Sequence, residues 1–214
     1  MPTFQTPQPI TVSVDVACGE VTVVASDRPD TVVEVRPADT AGKAGVRAAH
    51  ELRVDFAGGE LTVETPKNWK SFTPFGGNPA VSVIVEVPTG SVLDATLAMG
   101  RLTTVGEFDR CELEVSAGEI VIERPGGAVT ATAAKGDIRV DEAKRGVLRL
   151  ETSMGDLEVG VSRGSAARLE ANALFGSVQN LMDPVDPSQA SVDVVQVFAR
   201  NLYGNVAVGH GTLV

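Results

Sequence analysis

The sequence predicts an all-β chain coiled into a single β-solenoid, on three observations. The first is composition: among 214 residues valine occurs 34 times, while 22 glycines and 12 prolines interrupt the chain every few residues. That balance favours strands and tight turns over helices. The second is a repeat, because Gly100, Gly118, Gly136, Gly155, Gly176 and Gly204 stand 18, 18, 19, 21 and 28 residues apart. The third is the pattern around each glycine. The second residue after it is apolar in every case (Leu102, Ile120, Ile138, Leu157, Val178, Val206), and the fourth is apolar at Ile122, Val140, Val159 and Val208. A short strand of period two therefore leaves each glycine.

A second strand precedes each glycine of the regular rungs. Cys111, Leu113 and Val115, then Val129, Ala131 and Ala133, then Leu148, Leu150 and Thr152, then Leu169, Ala171 and Ala173 share one face and point inward. The intervening Glu112, Glu114, Thr130, Thr132, Arg149, Glu151 and Glu170 point to water. A two-strand unit of 18 to 21 residues cannot bury its apolar face alone, but stacked copies can pair each strand with its equivalent in the next turn. An antiparallel sandwich also spaces strands at such intervals, yet has no reason to repeat one glycine register. The small residues Ala131, Ala133, Ala171 and Ala173 predict two sheets lying close together.

The N-terminal half carries the signature at twice the period. Gly19, Gly59 and Gly100 each lead a similar segment and lie 40 and 41 residues apart, as wider rungs with insertions would place them. Strands are expected at Ile10 to Val16, Val21 to Ala25, Val32 to Val35, Leu52 to Phe56, Leu61 to Glu64 and Val81 to Val87. A short helix is expected within Thr40 to Glu51, capped by Asp39 or Thr40, with Val46, Ala49 and Leu52 on one side. No linker interrupts the repeat, so residues 1–214 are expected to form one domain: 1–99 as wide rungs, 100–214 as regular glycine-led rungs.

Charge and composition exclude several classes of function. Eighteen Lys and Arg against 28 Asp and Glu give a net charge of −10, which repels a phosphate backbone, so no nucleic-acid partner is expected. Apolar runs such as Val81 to Val85 fall far short of the ~20 residues of a membrane helix. The start MPTFQTPQPI has neither a basic nor an apolar leader region, and a soluble cytoplasmic protein is expected. Cys18 and Cys111 are too few for a disulfide framework and sit in no zinc-binding spacing.

With the rungs in place, the chain resembles the bacterial putative-adhesin family of β-strand-repeat proteins, found often in actinobacteria and largely of unknown function. The resemblance covers nearly the whole length. It rests on MPTFQTPQPITVSV at the start, VVASDRPDTVVEVRP at 23–37, PKNWKSFTPFGG at 66–77, and GDIRV, GDLEVG, ALFGSVQN and LYGNVAV in the rungs. It implies a β-solenoid without recognised catalytic machinery. The chain departs from the family pattern in its short middle and in Arg101, Ser177 and Asn205, which replace the acidic residue after glycine.

Four features could carry chemistry. The segment containing Lys67, Trp69, Lys70, Phe72 and Phe75 holds three of nine aromatics in seven residues. It is a loop that either closes the open side of the core or forms a recognition surface, with the rings as anchors and the lysines drawing an anionic partner. Glu119, Asp137 and Asp156 follow successive glycines and would stack about 5 Å apart. They read as turn chemistry at strand entry, and no metal or other cofactor is expected. Met154, Phe175 and Tyr203 each precede a repeat glycine and are expected to stack in adjacent rungs. Leu181 to Ala190 lengthens one rung as a loop.

Catalysis finds little support. His50 and His210, the only histidines, lie in no motif that pairs them with Ser or Cys, and glycines that feed strands cannot make a helix-led phosphate loop. No catalytic residue is assigned. The expected function is a non-enzymatic scaffold or interaction module that binds another protein or its own copy through exposed strand edges. Two other readings stay open: an enzyme of unassigned type with a groove beside the 66–79 loop, and a cell-surface or carbohydrate-binding adhesin.

Overall fold

The computed structural model of the chain describes residues 1–38, 43–66, 79–182 and 193–211. The strands in chain order are β1 (Thr3–Gln5), β2 (Thr11–Ser26), β3 (Asp30–Pro37), β4 (Arg53–Ala57), β5 (Glu60–Glu64), β6 (Val81–Pro88), β7 (Val92–Val105) and β8 (Arg110–Ile122). They continue as β9 (Ala128–Lys135), β10 (Ile138–Ala143), β11 (Gly146–Met154), β12 (Leu157–Val161), β13 (Ala166–Phe175), β14 (Val178–Asn180), β15 (Val194–Tyr203) and β16 (Val206–His210). One helix, α1 (Lys43–Glu51), lies between β3 and β4. All sixteen strands belong to one large open sheet.

The glycine repeat becomes a column. The long strands β2, β7 and β8 run straight through their glycines, where separate strands on either side were expected, and Gly19, Gly100 and Gly118 lie side by side in parallel register. Each long strand therefore serves two limbs of the sheet. Its first half leads through β5, β9, β11, β15 and β13, and its second half through β6, β10, β12, β16 and β14. Gly118 has φ +147°, and a Cβ there would lie 1.7 Å from the carbonyl oxygen of Gly100. A side chain is excluded both by the backbone conformation and by the neighbouring coil.

The inward positions read from the alternation are the buried ones on β8, β9 and β11, while those of β13 are only half-buried. Leu113, Ala131 and Leu150 oppose one another across β8, β9 and β11, so large and small side chains alternate along the stack, and all three are almost fully buried. Such alternation lets successive layers interdigitate without voids. Buried side chains of both limbs join one hydrophobic cluster. Two polar residues that enter it donate to backbone carbonyls: Thr152 Oγ1 to Gly136 O at 2.9 Å, and Asn201 Nδ2 to Gly155 O at 2.7 Å.

The N-terminal end differs from wide parallel rungs. β4 and β5 form an antiparallel hairpin in which Ala57 opposes Glu60. Gly59 is therefore a hairpin-turn residue, outside the glycine column: Gly58 and Gly59, at φ +62° and +84°, make the two-residue loop that the strand twist favours. β3 lies antiparallel between β1 and β6, and Phe4 of β1 stacks on Phe56 of β4 at 5.0 Å. The helix packs against β3 and β6. Ala48, Ala49 and Leu52 pack against the core, but Val46 turns outward; the proposed caps Asp39 and Thr40 lie outside the described residues.

The C-terminal end breaks sequence order. β11 pairs with β15, and β15 with β13, so the last coil of the chain is inserted beneath the one before it. The same exchange places β16 between β12 and β14. Strand composition accounts for this. The inward Val195, Val197 and Ala199 of β15 are completely or almost completely buried between two neighbours, a position that suits β-branched side chains. Ala167, Leu169, Ala171 and Ala173 of β13 are only half-buried at the edge.

Candidate functional site

The insertion of β15 creates an exposed apolar surface. Met154 opposes Tyr203, and Tyr203 opposes Phe175, so the expected ladder exists in the order Met154, Tyr203, Phe175. It was expected to follow the chain, with Phe175 in the middle. Backbone bonds hold it, because Gly155 N–H donates to Tyr203 O and Gly204 N–H to Phe175 O, both at 3.0 Å. The two rings stack nearly parallel, with centroids 4.8 Å apart and planes inclined by 9°. Yet Phe175 is 58% exposed and Tyr203 48%, so the rings support each other while keeping their edges in water.

Leu174 and Leu202, which precede the two rings on their strands, are also exposed, at 63% and 41%, and alternation directs them to the opposite face of the sheet. Eight of the eleven exposed large apolar side chains among the described residues lie between Met154 and Tyr203. The sequence carried a signal for this: Leu174-Phe175 and Leu202-Tyr203 place two apolar residues in succession, which breaks the alternation that buries every second side chain.

Beside the ladder runs a chain of side-chain acceptors at the residue following each glycine. Asp137 Oδ1 accepts the backbone N–H of Asp156 at 2.7 Å, and Asp156 Oδ1 accepts that of Asn205 at 2.6 Å. Asn205 Oδ1 in turn accepts the N–H of Ser177 at 3.1 Å and its hydroxyl at 2.8 Å. Glu119 pairs with Arg101 at 2.7 Å. Of the residues that broke the acidic pattern, Ser177 and Asn205 are thus partners within this chain of contacts, and Arg101 is the partner of Glu119. Among the described residues no group of three or more His, Cys, Asp or Glu is arranged to hold a metal ion.

The remaining sequence candidates are dispersed. Lys67, Trp69, Lys70, Phe72 and Phe75 lie outside the described residues, as does most of the 181–190 loop. Cys111 is buried in the core, and burial pushes its thiol up to about 12; burial also raises Cys18. His50 sits exposed in the last turn of α1, and His210 is half-buried in β16. An open groove of about 370 Å³ is lined by Glu123, Arg124, Asp141 and Glu142.

The overall arrangement has counterparts among solved structures. The fold resembles that of a putative bacterial cell adhesion protein. That protein, from Clostridium sporogenes, matches over 98% of each chain with a TM-score of 0.57 at 11% identity. A putative adhesin from Bacteroides fragilis matches 97% of this chain and 95% of its own, with a TM-score of 0.42 and 11% identity. No protein-family model and no curated protein matches the chain.

Proposed function

We propose that the chain is a non-enzymatic interaction module: a rigid β-solenoid whose C-terminal coils present the Met154, Tyr203 and Phe175 ladder to a partner protein. One observation carries this reading. Exposed large apolar side chains concentrate in the C-terminal strands, where Tyr203 stacks on Phe175 as a preorganised aromatic pair beside Met154. Contiguous apolar patches on a soluble surface mark interaction sites, and rigid aromatic anchors lose little entropy on binding. The groove beside Glu123 and Asp141 is open and lined by charged residues, unlike the enclosed, mostly apolar pockets that hold small substrates. An adhesive setting, of the kind named for the Clostridium sporogenes protein, is one in which such a surface could work.

The test uses the wild-type chain and the double variant Phe175→Ser/Tyr203→Ser as baits for cross-linking in native cells. The expected result is a defined partner recovered with the wild type and lost with the variant. Because both rings are about half exposed, the melting temperature should change little. An identical set of captured proteins for both baits would overturn the reading.

A further inference from the structure

We propose that the open edge of β13 pairs antiparallel with β13 of a second copy, about a two-fold axis at Leu169, with Arg168 of each chain opposite Glu170 of the other. This rests on the interaction-module reading and specifies one partner for it. Three observations carry it.

The first is the edge itself. β13 spans ten residues and, among the described residues, pairs on one side only, with β15. At the other end of the sheet the edge strands are β1, with three residues, and β4, with five. Natural edge strands are usually kept short or heavily charged, and a long regular edge is a template for another strand. The N–H of Ala166 points to β15, where it donates to Asp193 O, and the register with β15 is regular from Ala166 to Ala173. Alternation along the strand then directs the N–H and C=O of Ala167, Leu169 and Ala171 away from the molecule.

The second observation is facial. Ala167, Leu169, Ala171 and Ala173 face the core but remain half-buried, whereas Arg168, Glu170 and Asn172 are exposed. A two-fold pairing that joins core to core must set odd positions opposite odd positions. It also brings outward N–H groups together, so that Leu169 meets Leu169 and Ala167 meets Ala171.

The third is charge, which selects the register. Centring the axis on Arg168 would oppose two arginines, and centring it on Glu170 would oppose two glutamates. Centring it on Leu169 opposes Arg168 and Glu170 twice, at a non-hydrogen-bonded position where side chains approach most closely. Neither residue forms an ion pair within the described part of its own chain. The chain as a whole carries −10, which opposes self-association, but residues 163–175 contain Arg163 and Arg168 against Glu170 alone. The pairing is thus centred on a segment with a local excess of positive charge in an otherwise acidic chain, and more distant charges are screened beyond about 8 Å at physiological salt.

Sedimentation of the full chain from micromolar to submillimolar concentration tests the proposal, using wild type, Arg168→Glu, Glu170→Arg and the double swap. The wild type should form a reversible dimer. Each single reversal should weaken it about tenfold or more, since like charges then face each other directly across the pair. The double swap should restore it. Both side chains are exposed, so unchanged melting curves will show that all four proteins fold. A wild type that stays monomeric, single variants that dimerise normally, or a double swap that fails to recover would each overturn the pairing. A monomer that still captures a partner through Phe175 and Tyr203 removes this inference and leaves the module reading intact. A dimer whose captured proteins do not depend on those rings does the reverse.

Discussion

At Gly118 one methyl group decides whether two coils can stack. Alanine there would combine an unfavourable φ of +147° with a Cβ 1.7 Å from the Gly100 carbonyl oxygen, so a backbone shift must propagate into both neighbours. Gly59→Ala also places a side chain at positive φ, +84°, but meets nothing within 4 Å. Gly59→Ala should cost about 1 kcal/mol and Gly118→Ala at least 3, measured by urea unfolding. Asp156→Ala removes the acceptor of the Asn205 N–H and should cost about 1 kcal/mol, with Asp156→Asn recovering a large part because the amide oxygen still accepts. For Cys111 the sign of the pH effect is fixed by burial, which raises the thiol from 9.0 to about 12. The neutral thiol is favoured in the fold, so its contribution is complete below pH 9 and disappears as pH rises from 9 to 12 and the unfolded chain ionises. A Cys111→Val variant should lose stability less steeply over that interval.

Among elements, the C-terminal coil has the largest consequence. β15 and β16 separate β11 and β12 from β13 and β14, so removing residues 193–214 takes away the neighbour of two coils at once. The shortened chain should lose the protection of β13, melt at lower temperature and aggregate through the bared edge of β11, as seen by hydrogen exchange and light scattering. Position within an element then decides the effect of equivalent residues. Leu148→Ala, completely buried, should cost about 2–5 kcal/mol, whereas Leu174→Ala, 63% exposed, should stay within about 0.5 kcal/mol.

Across the whole molecule the two ends are unlike. The N-terminal end is covered by short antiparallel strands and a helix, and Arg28 there bonds Asp30 at 2.9 Å and also Glu86, with the Asp30 contact chiefly responsible for holding the guanidinium protonated even more firmly than usual. The C-terminal end presents a long edge and apolar side chains. In an open sheet where each strand pairs mainly with its immediate neighbours, opening proceeds from the less covered end. Amide exchange should therefore be slowest in β7, β8 and β9 and fastest in β13 and β14. Uniform protection along the stack would contradict this account.

Much of the sheet was legible because period-two alternation and a repeated glycine are local signals. They determined which residues of Cys111 to Ala133 and Leu148 to Leu157 face inward. At Gly59 the same signals misled, because the shared Gly-acidic-apolar pattern drew a hairpin-turn residue into the rung series. What only the tertiary structure decided was the order of the final coils, and with it the site. The Phe175 and Tyr203 ladder, the open β13 edge and the placement of Arg168 beside Glu170 on it all follow from β15 displacing β13 from the interior. No local pattern specifies that choice: β13 and β15 both satisfy the alternation, and competition for the same neighbour is settled by which of them buries more apolar surface on both sides.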